Sequence, residues 1–180
     1  GDHAETGERS TGILPLGKVG MLAAAGAAGK TMALLQLALA TATGREWLDT
    51  YTTPNPGHVL LALGEEDLDE ARRRIYAAGR LMRLTDEQRT RAAQHIVVLP
   101  LAGSRLSLTD GQGSPTPAFD ELQKLLSESE HEWRLIVLDP LSRFAGVDAE
   151  VDNHAATTFV ETLELLTQSA GNPTVLVAHH

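Results

Sequence analysis

The sequence predicts an α/β fold, a mostly parallel sheet with helices on both faces. Three observations predict it. HVLLAL (58–63), RLIVLD (134–139) and TVLVA (174–178) are short, continuous apolar runs, the pattern of strands buried on both faces. Between such runs lie segments with apolar residues at helical spacing, for example Leu68, Ala71, Ile75 and Ala78. Strands that alternate with helices are joined by crossovers, and crossovers make neighbouring strands parallel.

The elements follow in order along the chain. Residues 1–12 are a polar lead-in, and 13–180 are expected to form one domain. A short strand at about 19–25 runs into AAAGAAGKT (23–31). Residues 30–43 carry Leu34, Leu35, Leu37, Ala38 and Leu39, with Gly44 as a stop, and predict a buried helix. TTPNPG (52–57) is loop punctuation before the 58–63 strand. Asp67 to Arg83 is helical, and TDEQ (85–88) has the capping-box pattern that opens a further helix to about Gln94. HIVVLPL (95–101) is a strand. SRLSLTDGQGSPTP (104–117), rich in Gly, Ser, Thr and Pro, predicts a mobile surface loop. Residues 117–128 form an amphipathic helix with Phe119, Leu122, Leu125 and Leu126 inward. The 134–139 strand, a helix at 153–169 and the last strand at 174–178 complete the series.

Composition narrows the function. The 180 residues suffice for one domain with a real core, and 42% hydrophobic content argues against global disorder. Aromatics are only 4%, so the core rests on Leu, Val, Ile and Ala. The absence of cysteine removes disulfides and thiolate metal sites and suits a reducing cytoplasm. A net charge of −9 argues against this segment alone gripping nucleic acid tightly, while leaving room for a local basic loop or a channel in an oligomer. No apolar run is long enough to span a bilayer. The start, GDHAETGERSTG, lacks the pattern of a signal peptide. It also lacks Met, so the sequence is expected to be a piece of a longer chain.

In a parallel sheet ligands collect at the carboxyl ends of the strands, so the residues just after each strand carry the chemistry. After the first strand comes the stretch ending in Gly29-Lys30-Thr31. Small residues (Ala25, Gly26, Ala27, Ala28 and Gly29) let backbone N–H groups turn toward anionic oxygens, with the amides of Lys30, Thr31 and Met32 continuing the cradle. Lys30 would neutralise terminal phosphates, and Thr31 would ligate Mg²⁺. Ala24 stands where the strict pattern has glycine, and an alanine-rich helix start would look similar. Asp139 ends its strand and suits a Mg²⁺ contact, or caps a turn before Pro140. Glu65 and Glu66 follow another strand. Hydrolysis of a nucleoside triphosphate needs a carboxylate to orient and deprotonate water, and Glu66 is favoured for it, with Glu65 as a substitute. Both also suit a helix start. His179 and His180 end the sequence. They read either as the beginning of a tag or as a γ-phosphate contact. His3, His58, His95, His131 and His154 are scattered and read as surface or packing residues. Asp148, Glu150, Asp152 and Asn153 read as an acidic loop with a helix cap.

With these residues together the chain resembles the RecA-type ATPase domain of the RepA-like family, hexameric helicases of plasmid replication with relatives in phages and mobile elements. The matching stretches are GILPLGKVGMLAAAGAAGKT, ATGREWL, GHVLLALGEED with the following RRR, LIVLDPLSRFAG, VDNHAATTFVETLELL and TVLVAHH. The resemblance implies a RecA-like P-loop core and a homohexameric ring that hydrolyses ATP with Mg²⁺ on single-stranded DNA. It implies Lys30 and Thr31 at the phosphates and Mg²⁺, Glu66 as the base, Asp139 at the metal and His179 as a γ-phosphate sensor. It places the 174–178 strand between the phosphate-loop strand and the one carrying Asp139. It also implies further strands beyond residue 180, one bearing an arginine that reaches a neighbour's nucleotide. A non-translocating RecA/KaiC-like switch would use the same core motifs, and an assembly protein with a degenerate site would rest on Ala24 alone.

Overall fold

The computed structural model describes residues 16–23, 27–47, 56–102, 106–145 and 152–179. Its strands are β1 (Val19–Ala23), β2 (His58–Leu63), β3 (Ile96–Pro100), β4 (Trp133–Asp139) and β5 (Thr174–His179). They form one sheet in the order β1-β5-β4-β2-β3, and every pairing is parallel. β5 therefore lies between β1 and β4, the place that the resemblance implied for it.

The helices are α1 (Ala27–Thr43), α2 (Leu68–Leu81), α3 (Asp86–His95), α4 (Pro117–Glu128), α5 (Leu141–Phe144) and α6 (Asn153–Leu166). Their ends follow local chemistry. Gly44, at φ 80°, adopts the left-handed conformation that closes α1, and its N–H reaches the Ala40 carbonyl at 2.8 Å. Asp67 caps α2 by accepting from the Glu70 N–H. Thr85 and Gln88 complete the reciprocal capping box that TDEQ foretold. Thr116 caps α4, with Pro117 in its first turn.

Two cores flank the sheet because the strands are buried on both faces. Leu60, Ala62, Ile136, Leu138, Val175 and Val177 pack with Phe119, Leu122 and Leu126 of α4 and Phe159, Leu163 and Leu166 of α6. The alternate residues, Val59, Leu61, Leu63, Leu135, Val137, Leu176 and Ala178, pack with Leu34, Leu35 and Leu39 of α1, Ala71 and Ala78 of α2 and Ala92 of α3. Successive side chains on a strand point to opposite faces, so a continuous apolar run feeds both layers.

Several expected boundaries shift. α1 starts at Ala27 rather than at residue 30, and α6 ends at Leu166 rather than at 169. α5 was not foreseen; at 4 residues it is too short for a periodic signal. The expected surface loop at 104–117 holds at 110–112 and 114–115, which are exposed, but needs correction at 106–109. Leu106, Leu108 and Thr109 are buried, and the Leu108 N–H bonds the Phe144 carbonyl. Asp110 accepts from the N–H groups of Gln112 and Ser114, and Thr109 bridges to Pro115. Alternating leucines inside a Gly/Ser/Thr-rich stretch anchor the turn to the core, and composition alone hid them.

A close approach fixes the entry to β4. Gly171, at φ 93°, packs against the Trp133 backbone so tightly that a Cβ there would collide with it. Trp133 is fully buried, and its indole N–H reaches the Leu126 carbonyl at 3.1 Å.

Candidate active site

All five strands run the same way, so their carboxyl ends share one edge. Register fixes who meets whom there. Ala23 pairs with His179, Leu138 with Val177, and Leu63 with Asp139. The Gly64 N–H donates to the Asp139 carbonyl oxygen at 2.8 Å, which carries the turn after β2 toward the end of β4. The carboxyl ends of β1, β5, β4 and β2 are thereby neighbours along one edge of the sheet.

Lys30 sits in the first turn of α1, just after β1. It is only 3% exposed, and its ammonium is buried with no hydrogen-bond partner among the described residues. A lysine is almost never fully buried unless it is paired, because desolvating the charge is costly. The ammonium has the chemistry to receive an anion at the start of a helix, where the dipole and free N–H groups also favour negative charge. Thr31 beside it is buried, as is Asp139.

Glu66 lies between β2 and α2. Its side chain is only 13% exposed, and Oε1 pairs with Nη1 of Arg74 at 2.8 Å. Oε2 is buried and has no hydrogen-bond partner among the described residues. Burial holds the Glu66 pKa above the ordinary carboxylate value; Arg74 opposes this, while Asp139, Glu70 and Asp67 add to it. The effect of Asp139 on this carboxyl reflects their shared strand edge. Glu65, by contrast, is exposed. Gly64 packs under α5, and a Cβ there would stand 3.1 Å from the Arg143 Cβ.

A match to the AAA_25 family of AAA domains covers residues 7–180. The chain belongs to this family. It is a P-loop ATPase domain, and nucleotide binding accords with the ammonium at the start of α1 that has no partner among the described residues.

Within this AAA domain, Lys30, Thr31, Glu66, Asp139 and His179 all stand at the carboxyl edge of the sheet. Ala24, Ala25, Gly26 and His180 lie outside the described residues, as do Asp148 and Glu150. The donor set suits Mg²⁺: a threonine hydroxyl and one carboxylate, both buried, are the small protein share that Mg²⁺ takes when phosphates and water complete its shell. Among the described residues no group of three or more His, Cys, Asp or Glu is arranged to hold a metal by itself. No helix among them is long and apolar enough to cross a membrane.

Arg74 had no expected role, although the RRR after GEED contains it. Three of the histidines read as scattered come together far from this edge. His58 begins β2, His95 ends α3 and His131 precedes β4, and their rings cluster around His58.

Proposed function

We propose that this AAA domain is the motor of a RepA-like DNA helicase or ATPase, a homohexameric ring acting on single-stranded DNA in cytoplasmic replication. The observation that carries its hydrolytic part is the buried Lys30 ammonium, without a partner among the described residues, at the edge that Asp139 and Glu66 share. In this reading the backbone of Ala25 to Met32 cradles the phosphates of ATP, and Lys30 neutralises the terminal ones. Thr31 and Asp139 hold Mg²⁺, which supplies charge neutralisation on the phosphates. Glu66 orients the attacking water and takes its proton, with exposed Glu65 the weaker choice. His179 contacts the γ-phosphate and reports its loss.

The DNA part is supported by the GEED, DPLSRF and terminal HH stretches, which are more specific than a phosphate loop. The net charge of −9 favours a second reading, a RecA/KaiC-like switch in which ATP controls oligomerisation or partner binding.

ATP hydrolysis by the intact protein, measured with and without single-stranded DNA, separates them. Stimulation by DNA and collapse in Lys30→Ala are expected. Absence of both stimulation and DNA binding at low salt rejects the helicase reading. Assembly on ATP alone, seen by size exclusion, then favours the switch.

A further inference from the structure

We infer that Arg74 is a positioning residue for the water-activating carboxylate, Glu66, and that Glu70 anchors Arg74 for this task. The inference rests on the reading of Glu66 as the base.

Three contacts carry it. Arg74 Nη1 holds Glu66 Oε1 at 2.8 Å, Arg74 Nε holds Glu70 Oε1 at 3.2 Å, and Arg73 Nη2 holds Glu70 Oε2 at 2.6 Å. Glu66 stands on the turn before α2, where side-chain and backbone freedom would otherwise blur its aim. Arg74 and Glu70 stand one turn apart on α2, a helix whose start is pinned by the Asp67 cap. A guanidinium is planar and donates in fixed directions, so one side of it can grip the loop while the other is braced on the helix.

The grip is selective. It takes one oxygen of Glu66 and leaves the other, Oε2, buried and without a partner among the described residues. A base needs one oxygen held and one available for the water. The surroundings fit a charge that must stay aimed. Among the described residues, the acids Asp139, Glu70 and Asp67 crowd Glu66, and Arg74 is a cation that offsets their repulsion.

The Arg74–Glu70 pair lies at the surface, where ion pairs stabilise weakly, whereas Glu66 is mostly buried. Loss of Arg74 should therefore cost some stability without unfolding the protein. It should matter for kcat, since misplacing a reacting group is costly even by small distances. In the intact protein, Arg74→Ala is expected to lower kcat about tenfold or more. KM and nucleotide affinity should stay within about twofold of wild type. Arg74→Lys, which keeps the charge but loses the fork, should recover much of the loss. In a Glu66→Gln background, Arg74→Ala should cause no further loss.

The outcomes are separable. If Glu66→Gln is inactive but Arg74→Ala turns over at the wild-type rate, the positioning role is wrong and the base assignment survives. If Arg74→Ala weakens nucleotide binding in parallel with kcat, the residue is merely structural and the inference fails. If Glu66→Gln keeps full turnover, the base assignment falls and takes this inference with it.

Discussion

The imidazole rings of His58 and His131 are stacked, 3.9 Å between centroids and 6° between planes. The ring of His95 stands 4.6 Å from that of His58, and Trp133 meets both His58 and His131 edge-on. His95 Nδ1 lies 2.7 Å from the Arg91 carbonyl, which can only accept, so the imidazole donates there. Burial, and then the proximity of His131 and His95, hold the His58 pKa below its ordinary value of 6.5.

A stability–pH prediction follows from that direction. The folded state binds a proton at His58 less readily than the unfolded chain does. The stability at this site is complete above the ordinary imidazole pKa of about 6.5. It is lost progressively as pH falls from there through the lower folded-state value. Melting temperatures measured from pH 7.5 down to 5.5 should fall more steeply for wild type than for His58→Gln. Equal slopes would show that the cluster does not couple protonation to folding.

Lys30 makes a contrasting case, because its proposed role and its cost to the fold oppose each other. Lys30→Met keeps the aliphatic length and removes a buried donor that has no partner among the described residues. The nucleotide-free protein should gain about 1 kcal/mol or more, the usual penalty of an unsatisfied buried group. The rise in melting temperature that ATP and Mg²⁺ give to wild type should vanish. A nucleotide-free variant that melts lower than wild type would mean that the ammonium stabilises the empty fold.

Gly171 tests the entry to β4. Its φ of 93° disfavours any side chain, and a Cβ there meets the Trp133 backbone. Gly171→Ala should cost about 2–4 kcal/mol, combining a strained conformation with a steric clash. Urea denaturation measures this directly, and a loss of under half a kcal/mol would show that the turn can rearrange freely.

The capping box before α3 should be worth much less. Thr85 accepts from the Gln88 N–H at 3.2 Å, and the Gln88 side chain accepts from the Thr85 N–H at 2.9 Å. Thr85→Ala should lose about 1 kcal/mol, as measured for other helix caps. The ATPase rate should be untouched, since α3 lies away from the strand ends that carry the site. A drop in rate without a drop in stability would contradict that separation.

Much of this was legible beforehand because local rules acted over a few residues. TDEQ wrote its own cap, and HVLLAL and TVLVA declared two-sided burial. Gly29-Lys30-Thr31 after a strand pointed to the helix start where the buried Lys30 ammonium stands. The reading failed where local composition and tertiary packing disagree. Leu106 and Leu108 sit in a stretch that looks like exposed loop, yet both fill the core beside Phe144 and Phe119. The histidines are far apart in sequence, and parallel strands bring His58 and His131 to the same end of the sheet. Nothing in the spacing of 58, 95 and 131 signals that meeting.

By itself, the sequence determined the alternation of strands and helices, the helix caps and the residue types at the strand ends. Periodicity and capping are written within one or two turns of chain, and burial on both faces leaves a strand few other readings. Only the tertiary structure decided which acid is held. Glu65 and Glu66 are adjacent and chemically alike, yet one is exposed and the other is gripped by Arg74. It alone also left the Lys30 ammonium buried without a partner among the described residues. The reason is physical: which groups lose water and which find partners depends on how separate elements pack, and no local pattern encodes that.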